Sequence, residues 1–273
     1  MKTQFFLQLK ISSLLLMVLF SGKLYSQELS LYAKKIEYTE AYDKAKTYRN
    51  VKKAIKVAEN VESLKITIYN STYEYLVFMN NYSKFSTLKK LVIENWSNDS
   101  TLKFVQDLSV FKDIEYIRMM SISIPEDVSG FDKLQKLQYL DLSGCGFESV
   151  PKGIFHLKHL QVLNLSMNKI SFLDSSFTKL DTLKELDISN NNFDSVPEVV
   201  CKMKSLLYFD YNNAENILFY PNGREVYVNR LRKSPECLFE LENLRKVSFY
   251  KVPSNPDIKT EVKDLKGKVK VHW

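Results

Sequence analysis

The sequence predicts a stacked-repeat solenoid of the α/β class, with a curved parallel β-sheet on its concave face and helical or irregular arms on its convex face. Three observations predict it. Apolar clusters recur at a constant 23-residue step through the middle of the chain, as from Leu137 to Leu160 to Leu183. Within each cluster apolar and polar residues alternate, which is the period of a strand. An asparagine or cysteine follows each cluster at a fixed distance. A constant period of this length marks stacked supersecondary units.

The clearest unit is Leu137-Gln-Tyr-Leu140-Asp-Leu142-Ser-Gly-Cys145-Gly-Phe147, followed by Val150-Pro151. One repeat step gives Leu160, Leu163, Leu165, Asn168 and Ile170, and a second gives Leu183, Leu186, Ile188, Asn191 and Phe193. Leu206, Phe209 and Tyr211 continue the register forward, and Ile114, Ile117, Met119 and Ile122 continue it backward. Looser units lie at Val61-Leu64-Ile66 and Leu88-Leu91-Ile93, and Leu244-Val247-Phe249 resumes the pattern near the end. These units resemble the leucine-rich-repeat family, whose unit reads L-x-x-L-x-L-x-x-N/C-x-L, and among its members they resemble secreted bacterial ones. The resemblance spans residues 61 to 252.

Each element of the unit has a physical reason. The two residues of an L-x-L strand point to one side and the residues flanking them to the other. The asparagine side chain satisfies backbone groups that the following turn leaves unpaired. Ile154 and Leu157, Phe177 and Leu180, and Val200 and Met203 supply apolar side chains from the returning arm. One unit cannot bury its own apolar face, so the units must stack, with strands about 4.8 Å apart. Open ends need covers. Residues 27–60 carry an amphipathic pattern (Ala33, Ile36, Ala41, Ala45, Val51, Ala54, Ala58) expected to form a helical N-terminal cap. Residues 253–273 end in Val269-Lys-Val271-His-Trp273, expected to be a capping strand edged with lysine.

Composition bounds the function. Hydrophobic residues at 45% and charged residues at 26% describe an ordinary folded chain, and seven glycines with seven prolines leave no long flexible linker. Residues 1–26 join a lysine-bearing start to a short apolar run, Ile11 to Phe20, and then to small and polar residues. That reads as a signal peptide cut after Ser26, since a bilayer span needs about 20 apolar residues. Cleavage removes three lysines and no acid, so the net charge falls from +7 to +4. Nucleic acid is therefore not an expected partner. The expected product is a secreted or periplasmic monomer without a membrane span. Cys145, Cys201 and Cys237 show no metal-ligand spacing. At most one bridge can form, best between Cys201 and Cys237, with free buried thiols an equal alternative.

The register also names the outward strand residues. One column holds Tyr116, Tyr139 and Tyr208, with Tyr250 nearby; the central column runs Arg118, Asp141, Asn164, Asp187 and Asp210; Met120 stands beside them. In the family this concave face usually meets a protein partner, and exposed tyrosines make effective contact residues. Ordinary strand propensity is the competing explanation for the tyrosines. Carboxylates one strand apart could hold calcium, or could form a plain polar ladder. The step from Leu206 to Leu244 exceeds one repeat by more than half a unit. The extra stretch, at about 213–234, reads as a β-hairpin turning at Pro221-Asn222-Gly223 and offers Phe219, Tyr220, Arg224 and Tyr227 for recognition, or acts as a flap on the last repeats. Five Asn-x-Ser/Thr triplets, at Asn70, Asn81, Asn95, Asn98 and Asn164, would take glycans in a eukaryote. No catalytic motif, phosphate loop or cofactor signature occurs; His156 and His159 lie on the returning arm and His272 near the C-terminus. The expected function is protein binding without catalysis. A carbohydrate or glycan binder is the alternative, and a metal-dependent hydrolase on the aspartate column a remote third.

Overall fold

In the computed structural model, the described residues are 46–69, 71–96, 107–125, 127–213, 228–250, 252–254, 258 and 269–272. Ten strands lie parallel in sequence order: β1 Thr47–Tyr48, β2 Ser63–Ile68, β3 Lys90–Asn95, β4 Tyr116–Met120, β5 Tyr139–Asp141, β6 Val162–Asn164, β7 Glu185–Asp187, β8 Tyr208–Asp210, β9 Lys246–Ser248 and β10 Lys270–His272. Every neighbouring pair keeps the repeat register. Leu91 faces Ile117, then Leu140, Leu163, Leu186, Phe209 and Val247 in turn. All of these side chains are buried, each adding about 2 kcal/mol of apolar transfer energy.

The returning arms complete the core. Between β5 and β9 each arm is a short 3₁₀ turn: Lys152–His156, Ser175–Lys179, Val200–Lys202 and Glu236–Glu240. Ile154, Leu157, Phe177, Leu180, Val200 and Met203 point inward from these arms and are buried. The N-terminal arms are bulkier and carry two α-helices, α1 Val51–Ile55 and α2 Tyr73–Met79. Asn50 caps α1 by accepting the Lys53 N–H at 2.9 Å.

The N-terminal cap differs from the helix expected over residues 27–60. Thr47–Tyr48 forms β1 and pairs in parallel with β2, so the sheet begins one strand earlier. Asn50 sits in extended conformation and starts the helix only at Val51. The residues before position 46 of that expected cap, and the proposed signal peptide, lie outside the described residues.

The asparagine column runs through the turns that follow the strands. The Asn191 amide donates to the carbonyls of Leu165, Ile188 and Ser189 at 2.9, 3.0 and 3.1 Å, and its oxygen accepts the Ile170 N–H at 3.0 Å. Asn168 makes the equivalent set one repeat earlier. At Cys145 the thiol substitutes, with Sγ 3.0 Å from the Met119 carbonyl. Cys201 and Cys237 form a disulfide with Cα atoms 5.5 Å apart, tying together the arms that follow β7 and β8, while Cys145 remains a buried free thiol.

Candidate interaction surface

The outer strand face is built from columns one strand spacing apart. The first column reads Ser63, Lys90, Tyr116, Tyr139, Val162, Glu185, Tyr208, Lys246 and Lys270. The central column reads Lys65, Val92, Arg118, Asp141, Asn164, Asp187, Asp210, Ser248 and His272. From Lys90 and Val92 to Lys246 and Ser248 these columns are the ones the repeat register gives. Accessibility within the columns is a different matter.

Over β2 to β5 the face is largely closed, with Lys65, Lys90 and Arg118 partly exposed. Tyr116 and Tyr139, expected to be exposed contact residues, are 1% and 0% exposed. Their rings stack 4.1 Å apart and nearly coplanar, and the Lys90 ammonium sits 4.6 Å from the Tyr116 ring centre. Aromatic side chains on adjacent parallel strands stand close enough to use each other's faces, which leaves little ring for a partner. Met120 and Asp141 are buried as well, so these two expected contacts are also corrected.

A chain of ion pairs fills the rest of this half. Lys65 lies 2.9 Å from Glu94, and Arg118 lies 3.7 Å from Glu94 and 3.3 Å from Asp141. Burial works against the Arg118 charge, but Asp141, the two tyrosines and Glu94 outweigh it and hold the guanidinium protonated. The Tyr139 hydroxyl, by contrast, has no hydrogen-bond partner among the described residues. Burial pushes its ionisation well above the ordinary tyrosine range. Glu94 is among the outward strand residues read from the repeat register, whereas Lys65 was not singled out; extending the register back two strands from Arg118, through Val92, is the signal that would have found it.

Over β6 to β10 the face is more open. Asn164, Asp187, Tyr208, Asp210, Lys246 and Tyr250 are all partly exposed and Lys270 and His272 are exposed, while Val162, Glu185 and Ser248 are buried. The Tyr250 ring stacks on the His272 imidazole at 5.4 Å, and Ser248 Oγ lies 3.1 Å from His272 Nδ1. His156 and His159 sit on the arm side, where His159 lines a shallow polar groove with Glu115, Lys136, Gln138 and Gln161.

The acidic column has a local duty. Asp141, Asn164 and Asp187 each accept the backbone N–H two residues ahead, at 3.0, 2.8 and 2.8 Å. Asp187 also accepts the Ser189 hydroxyl. These Asx turns end each strand and use an oxygen that a cation would otherwise take. Burial first, and the Asp210 carboxylate on the adjacent strand second, push the Asp187 pKa up to about 7. Among the described residues, no group of three or more His, Cys, Asp or Glu side chains is placed to hold a metal ion.

One apolar residue on this side was missed by sequence reasoning. Phe172 is 72% exposed and occupies the repeat position that Ser149 and Ser195 fill in the neighbouring units. Its departure from a column of serines was visible in the aligned units. The expected hairpin residues Phe219, Tyr220, Arg224 and Tyr227 lie outside the described residues.

A family model described as a leucine-rich repeat region matches residues 125–267, more than half of the chain. The chain belongs to the leucine-rich-repeat family. No curated protein matches it. Among solved structures, it resembles internalin C2 of Listeria monocytogenes at 17% identity and a TM-score of 0.50, covering 82% of this chain and 90% of that one. It also resembles a leucine-rich-repeat protein of Leptospira interrogans at 21% identity and a TM-score of 0.46, covering 79% of this chain. The leucine-rich-repeat chain described here spans 62% of that Leptospira chain. At these identities the likeness concerns the fold. No helix among the described residues is long and apolar enough to cross a membrane.

Proposed function

We propose that this leucine-rich-repeat protein is an exported, non-enzymatic interaction module that binds a protein partner through the open half of its strand face. The observation that carries the reading is the unequal accessibility of the outer columns. Tyr208, Asp210, Asp187, Asn164 and Tyr250 are reachable on β6 to β9, whereas Tyr116, Tyr139 and Asp141 are enclosed. Aromatic and Asx side chains on a rigid sheet give contact area and hydrogen bonding at low entropic cost. The stretch that follows β8 in the sequence offers Phe219, Tyr220, Arg224 and Tyr227 as further contact residues. Arg118, only partly exposed and drawn toward Asp141, borders the site without belonging to its centre.

Export is supported by the leader-like residues 1–26 and by the Cys201–Cys237 bridge, because disulfides persist mainly in oxidising compartments. The two solved structures named above are from bacteria, in keeping with a bacterial source. A glycan reading gains nothing here, since the faces of Tyr116 and Tyr139 are taken up by each other and by Lys90.

The test begins with capture of the partner by the processed chain from its native extracellular milieu. The affinity of that partner is then measured for a Tyr208→Ala/Tyr250→Ala variant and for Lys65→Ala. We expect the double variant to weaken binding about tenfold or more and Lys65→Ala to leave it within about twofold. Equal binding by all three chains would remove the open half from consideration.

A further inference from the structure

We infer that residues 214–228 are an interchangeable insert, carried by a solenoid whose fold is complete without them. Asparagine bonding on either side of the stretch leads to this. Asn191 reaches back 26 residues to the Leu165 carbonyl, 3 to the Ile188 carbonyl and 21 to the Ile170 N–H. Asn229 makes the same three bonds, to the Ile188 carbonyl, the Tyr211 carbonyl and the Phe193 N–H, over 41, 18 and 36 residues. Each separation is longer by the same amount, the length of the stretch 214–228. Asn229 therefore fills the ladder position that an uninterrupted repeat step would have given to Ala214.

The rest of the unit follows the same displacement. The Arg230 N–H bonds the Phe193 carbonyl as Asn192 bonds Ile170 one repeat before. Leu231 is buried in the column of Ile170 and Phe193, and Pro235 falls in the column of Pro151 and Pro197. Strands β8 and β9 pair in the ordinary register, with Tyr208 opposite Lys246 and Asp210 opposite Ser248. The sheet passes the insertion point without a fault.

Chain exit and return are also closed locally. Asn213 keeps its column's backbone bond, its N–H donating to the Tyr250 carbonyl at 2.9 Å. Its side chain then clasps the returning strand end. Nδ2 donates to the Asn229 carbonyl and Oδ1 accepts the Asn229 N–H, both at 3.0 Å. One column change marks the exit. Ser121, Gly144, Met167 and Asn190, each one repeat after the last, take positive φ, and Asn213, next in that series, is not among the positive-φ residues. With ladder, clasp and the Cys201–Cys237 bridge all outside the insert, its sequence is free to be set by recognition. This deepens the interaction reading and rests on it only for the use made of the segment.

The test uses the full oxidised chain and two variants, followed by thermal unfolding and by counting free thiols under denaturing conditions. In the first variant a Gly/Ser segment of equal length replaces 214–228; in the second, Asn213 is joined directly to Asn229. The Gly/Ser chain should unfold cooperatively within about 5 °C of the parent and retain a single free thiol, since loop identity and length cost little. Asn229→Ala in the parent chain should lower the Tm by more than that, because it empties the ladder. A Gly/Ser chain that loses more than about 5 °C or fails to form its disulfide would overturn the inference. The joined chain requires Asn213 to take positive φ, which asparagine tolerates. Its folding would support the inference in the strictest form, and its failure to fold beside an intact Gly/Ser chain would overturn the claim that the fold is complete without the stretch. No partner enters these measurements, so their failure is separate from any failure of the binding reading.

Discussion

The two halves of the outer strand face start from the same register and end in different states. From β2 to β5, lysine, arginine and carboxylates alternate across strands and two tyrosines share one stack, so the side chains satisfy one another. From β6 to β8 the central column holds Asn164, Asp187 and Asp210, whose side chains stay partly exposed. A column of mixed charge pairs across strands, whereas Asn164 and Asp187 turn their oxygens to backbone N–H groups of their own segments. That difference separates a face filled by cross-strand contacts from one that stays more accessible.

The most severe way to probe the contrast is to remove a ring from each half. Tyr139→Ala should cost about 3–5 kcal/mol in urea unfolding, as a fully buried aromatic does, while Tyr208→Ala should cost about 1 kcal/mol or less. Similar losses for both would erase the distinction between the halves.

The ladder offers a second comparison. Asn191→Ala leaves three carbonyls and one N–H short of a partner inside the core, so a loss of about 3 kcal/mol is expected. Cys145→Ala, in the same column nearer the N-terminus, should cost about 1 kcal/mol, since a thiol is a weak donor. If Cys145→Ala proved the more damaging change, the regular units would not be the stiffer part.

The open half should also be the pH-responsive one. The folded pKa of Asp187, about 7, is raised above the unfolded value, so the native state binds the extra proton. Stability from this group is greatest below about pH 4 and falls as the pH rises toward 7. Asp187→Asn should flatten that part of the Tm–pH curve and raise the Tm at pH 8 by a few degrees, at about 2–4 °C per kcal/mol. A parallel curve for Asp187→Asn would mean that folding does not raise the Asp187 pKa. The smallest effect is expected from Tyr139→Phe. Because the hydroxyl is unpartnered, its removal should be neutral or stabilise by up to about 1 kcal/mol, read from the denaturation midpoint.

Much of this architecture was legible from local pattern. The repeat step placed the strands, and alternation within each unit decided which side chains point inward. The excess length between Leu206 and Leu244 gave the size of the insert, though not where it joins. Within the helical cap expected over residues 27–60, Val51–Ile55 is helical, but Thr47 and Tyr48 pair with the edge of β2, a contact between segments that helical spacing does not encode.

The sequence by itself determined the repeat, the register and the facing of the strand residues within the repeats, because each depends on neighbours a few positions away and on a period that stacking converts directly into columns. Only the tertiary structure decided which outward residues remain outward. Tyr116 and Tyr139 lie a full repeat apart in the chain but one strand apart in space, and their stacking closed the face they were expected to open. The same holds for Asn229, which takes the ladder position across the inserted stretch because the bonding groups of Ile188, Tyr211 and Phe193 were there to receive it.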